Sequence, residues 1–263
     1  MAAAKASNIS LQIPEQPVWS KPFVKSFELF GPVDAHGAAM AWLAHIDVLK
    51  FIIQNRWGSA LVLEDDVDWS VDIREQTRKV AQAVVKLTEQ KAGTDTPYGL
   101  DWDVIWMGHC GDPPDFKNKP YVAYKDPTVL PFEKYRNINK HITTQLKEGQ
   151  RAVHFSAGPI CTWAYAVSAN GARKLLAEAS EGHGGAYDLM LMNRCKDERL
   201  RCITVNMELF DSYHPAEGDQ SEVRAGDSGA DLQAESAASQ AMGHTDNVLR
   251  SARCAGLYSL TCT

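Results

Sequence analysis

Apolar positions recur along this chain with two periods. Between residues 37 and 54 they fall at Ala39, Trp42, Leu43, Ile46, Leu49 and Ile53, a spacing that lays one apolar face along a helix. Short, nearly continuous apolar runs occupy residues 59–63 and 102–107. Such runs predict strands buried on both faces. Asp72, with Glu75 three residues on, opens a predicted helix through Val80, Val84 and Leu87. A third strand is predicted over residues 159–167, after which Ser168 caps a helix through Ala172, Leu175 and Leu176. A short helix near residues 189–195 and a strand near 202–207 complete the regular part.

Strands separated by helices predict an α/β architecture with a mostly parallel sheet flanked by helices. In such sheets ligands bind at the carboxyl ends of strands, which directs attention to the ends of the first two. Residues 1–36, broken by Pro14, Pro17 and Pro22, read as an irregular lead-in, and residues 37–215 as the α/β domain. Within that domain, residues 111–150 are polar and rich in Pro and Lys, and predict a long surface excursion. Residues 216–263 begin with an acidic, low-complexity stretch and are expected to form a flexible tail.

Composition adds exclusions. With 44% apolar and 23% charged residues, the chain is neither disordered throughout, collagen-like nor a coiled coil. The 27 basic residues against 33 acidic ones leave a net charge of -6, which disfavours a strongly basic nucleic-acid binder. Most of that charge belongs to the 216–243 stretch, where six acids face the single base Arg224. The most apolar segment, residues 38–53, is interrupted by His45, Asp47 and Lys50, so an amphipathic helix is expected rather than a membrane span. The first ten residues hold no apolar run of the kind a secretory leader requires. Six cysteines without a CxxC pair suit neither a small disulfide scaffold nor a cysteine zinc site, although Cys195 and Cys202 are close enough in sequence to pair.

The first strand ends in chemistry. Glu64, Asp65, Asp66 and Asp68 follow directly on an apolar run, and carboxylates so crowded repel one another unless a cation sits among them. Oxygen-rich clusters suit Mg²⁺ or Mn²⁺, which in turn bind phosphates. A solvated strand-to-loop transition is the alternative.

Residues 60–67 (ALVLEDDV) resemble the central motif of glycosyltransferase family 25, the lipooligosaccharide and collagen galactosyltransferase family. Other segments follow in the family's order. Residues 37–45 (GAAMAWLAH) resemble its Gly-to-Ser-His helix, with Ala44 in place of Ser. Residues 102–108 (WDVIWMG) resemble its Trp-Asp strand, and 161–176 (CTWAYAVSANGARKLL) its aromatic, Gly-Ala and Leu pattern. Residues 187–190 (YDLM) and 220–223 (QSEV) are similar to its later Val-Asp and Ser-Asp-Ile positions, and the Gly-His-Cys after the second strand resembles fungal members.

The resemblance implies a GT-A-like, Rossmann-type fold that takes a UDP-sugar donor, with Mn²⁺ or Mg²⁺ as cofactor, and passes a hexose to a glycan or glycoprotein hydroxyl with inversion. On that reading Glu64 and Asp66 hold metal and diphosphate, Asp65 meets ribose or sugar hydroxyls, and Asp68 is solvated. Asp188, at the Val-Asp position, is the expected general base, and Asp103 a weaker alternative. Asp188 also suits an N-cap. His214 is the expected metal ligand from the C-terminal side.

His45 is expected to be a hydrogen-bonded structural histidine, and His109 either lines the pocket or sits in an exposed turn. Trp163 and Tyr165 are expected in the core. Eukaryotic members of the family the chain resembles generally work in the secretory pathway, although the chain shows no leader of that kind. The 36 residues before Gly37 do not resemble the family's opening strand–helix unit, so the expected domain is N-terminally truncated. A non-catalytic homologue is the alternative function, and a metal-dependent phosphoesterase a more distant one.

Overall fold

The computed structural model describes residues 1–30, 36–137, 140–181, 185–215 and 243–258. Six strands form the main sheet: β1 (Ser59–Leu63), β3 (Val104–Gly108), β4 (Tyr121–Lys125), β5 (Gln150–Phe155), β6 (Ala164–Ser168) and β7 (Cys202–Asn206). Their order is β1-β6-β3-β7-β5-β4. A smaller sheet joins β2 (Val67–Trp69), β8 (Phe210–His214) and β9 (His244–Thr245) in the order β2-β8-β9.

The protein is α/β, but the expected parallel sheet is not what forms. Of the main sheet's pairings only β3 with β7 is parallel; β1–β6, β6–β3, β7–β5 and β5–β4 are antiparallel. Apolar runs between helices identify strands without setting their direction, and β6 enters between β1 and β3 in the opposite sense. Because β1 and β3 both oppose β6, and β7 runs with β3, the carboxyl ends of β1, β3 and β7 still share one edge of the sheet. The start of β6 lies at that same edge.

Alternation along the central strands explains their unbroken apolar runs. Val104 and Trp106 pack on one side with Trp42, Leu49, Leu175 and Leu191, while Ile105 and Met107 pack on the other with Val80, Val84 and Phe210. The first side is covered by α3 (His36–Gln54), α5 (Ala169–Ser180) and α6 (Tyr187–Lys196). The second carries α4 (Ile73–Leu87), which lies over β4 and β5. Helix α3 is long and apolar enough to cross a membrane, yet one face of it, with Trp42, Leu43, Leu49 and Ile52 buried, packs against α2, α5, α6 and β1. Ser168 caps α5 as expected, its hydroxyl accepting from Gly171 N at 2.9 Å. Asp72 stands at the N-cap of α4 without a capping bond; its carboxylate instead pairs with Arg250 at 2.9 Å.

Three expectations change. Strand β1 is an edge strand, and Ser59 and Leu61 are exposed, so it is not buried on both faces. The 111–150 stretch is more than a surface excursion, because it supplies β4 and a cluster in which Val129, Tyr135 and Ile142 bury against Met207. The lead-in and the C-terminal region also contribute elements. α1 (Ala2–Ala6) packs on α7 (Ala252–Tyr258), and α2 (Lys21–Phe30) packs on α3. The low-complexity residues 216–242 lie outside the described residues.

Candidate functional site

At the end of β1 the backbone pairing continues one residue further, with Glu64 N donating to Trp163 O at 3.0 Å. The Glu64 carboxylate accepts from the Thr162 hydroxyl at 2.7 Å and lies 3.7 Å from His45 Nε2. Burial raises its pKa, but the hydrogen bond and charge of His45, with the Thr162 hydroxyl, outweigh that and hold it below the ordinary value. Asp65 and Asp66 are exposed. Partial burial, then the charges of Glu64 and Asp65, push the Asp66 carboxyl up, and Arg253 offsets this only in part. Asp66 is therefore an acid short of positive charge.

Asp188 is tied to the residue next to Thr162. It lies in the first turn of α6, whose N-cap is Ala186, so the expected capping role is not the one it plays. Its Oδ2 accepts from Cys161 N at 2.9 Å and its Oδ1 from Leu189 N at 2.8 Å. Cys161 has a left-handed backbone (φ 64°) and is disulfide-bonded to Cys110, just beyond β3. Two consecutive residues, Cys161 and Thr162, thus hold Asp188 and Glu64, and the disulfide fastens that pair to the end of the neighbouring strand. The second disulfide, Cys195–Cys202, joins α6 to β7 in the pairing the spacing allowed.

Behind Glu64 stands a buried polar relay that sequence reasoning missed. His45 Nδ1 lies 3.1 Å from the Tyr165 hydroxyl, which is 3.2 Å from the Tyr187 hydroxyl. The His45 ring stacks on Tyr187 with centroids 4.2 Å apart. Burial raises both tyrosine pKa values, keeping the phenols neutral. His45 is thus a hydrogen-bonded interior residue, Tyr165 is in the core and Trp163 packs against it. No periodicity in α3 or β6 could announce this relay, because the contact joins residues 120 positions apart.

Other candidates move. Asp68, expected in solvent, is fully buried and accepts from Trp69 N at 2.7 Å, Arg253 N at 3.0 Å, Thr245 Oγ1 at 3.1 Å and the Ser251 hydroxyl. The reason is that β2 turns inward to pair with β8 (Asp68 opposite Asp211), carrying Asp68 under β9 and α7. Asp103, the weaker base candidate, precedes β3 at the opposite edge of the sheet. It binds Lys174 Nζ at 2.6 Å, Arg201 N at 2.9 Å and Asn170 at 3.0 Å, so it is structural. His109 is fully buried, which rules out the exposed turn. Its Nε2 lies 3.1 Å from Val205 O, and its Nδ1 has no hydrogen-bond partner among the described residues.

His214 ends β8, one step beyond Tyr213, whose N donates to Asp66 O at 2.6 Å. It gathers with His244 and Asp246 and not with Glu64 and Asp66. Close by, Glu208 and Asp211 form a buried pair. Tyr135 donates to Glu208 at 2.6 Å, and Asn247 donates to Glu208 at 3.0 Å and to Asp211 at 2.6 Å. Burial, then the Glu208 charge, raises Asp211 well above the usual carboxylate range.

Small size at Gly108 permits this crowding of strand ends: a Cβ there would come within 2.8 Å of Phe210 Cβ and 2.9 Å of its carbonyl. The main sheet and the small sheet meet at this glycine. The resulting edge offers three consecutive acids at the end of one strand, a fourth, Asp188, on helix α6, and the paired histidines of the β8–β9 ribbon. No family model matches the chain and no curated protein is significantly similar to it, so its likeness to glycosyltransferase family 25 rests on the residues quoted above.

Proposed function

We propose that this protein is a metal-assisted, inverting glycosyltransferase that moves a hexose, galactose by resemblance, from a UDP-sugar to a glycan or glycoprotein hydroxyl. The observation that carries this reading is the bridge through Cys161 and Thr162, which brings Asp188 to the strand end bearing Glu64 and Asp66. The Asp66 carboxyl, raised by partial burial and then by the charges of Glu64 and Asp65, fits a cation site, since a divalent ion would offset both. Carboxylate oxygens suit Mn²⁺ or Mg²⁺, with Glu64 and Asp66 as ligands. Such an ion supplies stabilisation of the charge that develops on the diphosphate leaving group.

The chain's own residues do the rest. Thr162 and His45 hold Glu64, and the exposed Asp65 carboxylate would accept from ribose or sugar hydroxyls. Asp188 takes the proton of the acceptor hydroxyl as the new carbon–oxygen bond forms and the bond to diphosphate breaks.

Calorimetry with UDP and a UDP-sugar, with and without Mn²⁺, tests this. Metal-dependent binding that Asp66→Ala abolishes is the expected result; metal binding with no UDP affinity sinks the proposal. A second reading, a homologue that binds without turnover, draws on the engagement of both Asp188 oxygens by backbone N–H groups. Release of UDP from a UDP-sugar pool offered mixed acceptors separates the two. On the catalytic reading Asp188→Asn keeps donor binding and loses turnover.

A further inference from the structure

The β8–β9 ribbon presents two imidazoles and a carboxylate together. His214 and His244 are register partners on antiparallel strands, with rings stacked 5.0 Å apart at 27°. Partners of this kind hold their Cβ atoms ~5 Å apart, close enough for both side chains to reach one ion. Asp246 follows just after β9, and its Oδ1 is 3.7 Å from His244 Nε2. One ligand atom from each of the three residues lies within 4.8 Å of the others.

We propose that His214, His244 and Asp246 bind a borderline divalent transition ion of the Zn²⁺ class, at a site separate from the Glu64–Asp66 carboxylates. Imidazole nitrogen selects this class over Mg²⁺, which prefers an all-oxygen shell. Bonds of ~2.1 Å in tetrahedral geometry require ligand atoms ~3.4 Å apart. The three side chains reach that spacing by closing at most ~1.4 Å from their present 4.8 Å limit, which χ rotations on half-buried and exposed residues supply. Surrounding charge favours a cation as well. Asn247, next to Asp246, donates to the buried Glu208–Asp211 pair, and the Asp246 charge is itself felt at Asp211. Three ligands leave a fourth position open to water. Held this way, the ion would lock β9 to β8 one step beyond the bond from Tyr213 to Asp66.

The inference stands whether or not the chain transfers a sugar. Its test is Zn²⁺ titration of the metal-stripped full chain by calorimetry, with Co²⁺ absorption as a second readout. One saturable Zn²⁺ equivalent is expected, not displaced by millimolar Mg²⁺. It should be lost in H214A/H244A and retained in E64A/D66A. D246N, a change at an exposed residue that leaves the fold intact, should weaken binding at least about tenfold. Absence of saturable Zn²⁺ binding, or binding that survives H214A/H244A, overturns the site. Loss of binding in E64A/D66A with retention in H214A/H244A assigns the ion to the carboxylates and overturns it equally. If His244 and Asp246 form only an ion pair, D246N will leave Zn²⁺ affinity unchanged, which also refutes the proposal.

Discussion

Asp66 and Asp68 are two residues apart, and their surroundings are opposite. Asp68 is buried beneath β9 and α7 with donors from Trp69, Thr245, Ser251 and Arg253 filling its oxygens. Asp66 is exposed, crowded by Glu64 and Asp65, and only partly offset by Arg253. A buried acid saturated by hydrogen bonds is a fixture of the fold, because removing it orphans every donor. An acid raised by partial burial and by neighbouring acids, with little positive charge beside it, is one whose charge lacks a full counterweight. The same contrast separates Asp103, tied to Lys174, Asn170 and Arg201, from Glu64, whose half-buried carboxylate accepts from Thr162. Acids are sorted here by what donates to them, which residue type does not reveal.

The contrast can be broken in order of size. The largest effect is expected at Cys110–Cys161, which closes a loop of 51 residues and holds the bridge to Asp188 and Glu64. Its double serine variant should lose about 4 kcal/mol in urea denaturation, against about 2 kcal/mol for the short Cys195–Cys202 loop. Equal losses would mean that the longer loop is already ordered in the unfolded chain.

Next, Asp68→Ala should cost about 3 kcal/mol by the same measurement. A loss below about 1 kcal/mol would erase the distinction from Asp66. Asp211 sharpens the comparison through pH. Its folded-state pKa is raised, so its contribution is fully present below the unfolded value near ~3.9 and is lost as pH rises through the folded value. Asp211→Asn should remove that decline, so its denaturation midpoint gains on the parent's as pH rises from ~4 to ~7. Smallest of all, Asp66→Ala should change stability by no more than about 0.5 kcal/mol while abolishing metal-dependent donor binding.

Much of the regular structure was legible. Strand β1 falls at residues 59–63 as its apolar run predicts, and Ser168 caps α5 because its hydroxyl is the right acceptor at the right step. Direction was not legible. Helices between strands suggested parallel crossovers, but β6 pairs backwards with both β1 and β3, and nothing in its apolar run encodes that sense. The 111–150 stretch hid β4 because its alternation, with Tyr121, Ala123 and Lys125 exposed, is that of a strand covered on one side only. At the site, Glu64 and Asp66 were legible as a crowded pair at a strand end. The inward turn of Asp68 and the His45–Tyr165–Tyr187 relay were not, since both arise from contacts far apart in sequence. His214 stood out as a candidate metal ligand, but the residues it gathers with, His244 and Asp246, come from beyond a low-complexity stretch that carries no register.

The place of β7 sets a timetable for folding. It is the last strand of the main sheet to leave the ribosome, yet it sits between β3 and β5 and carries the sheet's sole parallel pairing. The contact that fastens its start, Arg201 N to Asp103, spans 98 residues. Until residue 206 has emerged, β3 and β5 each present an apolar strand edge with no neighbour, and closing so long a loop is slow. The nascent chain therefore passes through a stage in which its most buried strands are its most adhesive ones, and chaperone demand should be concentrated there.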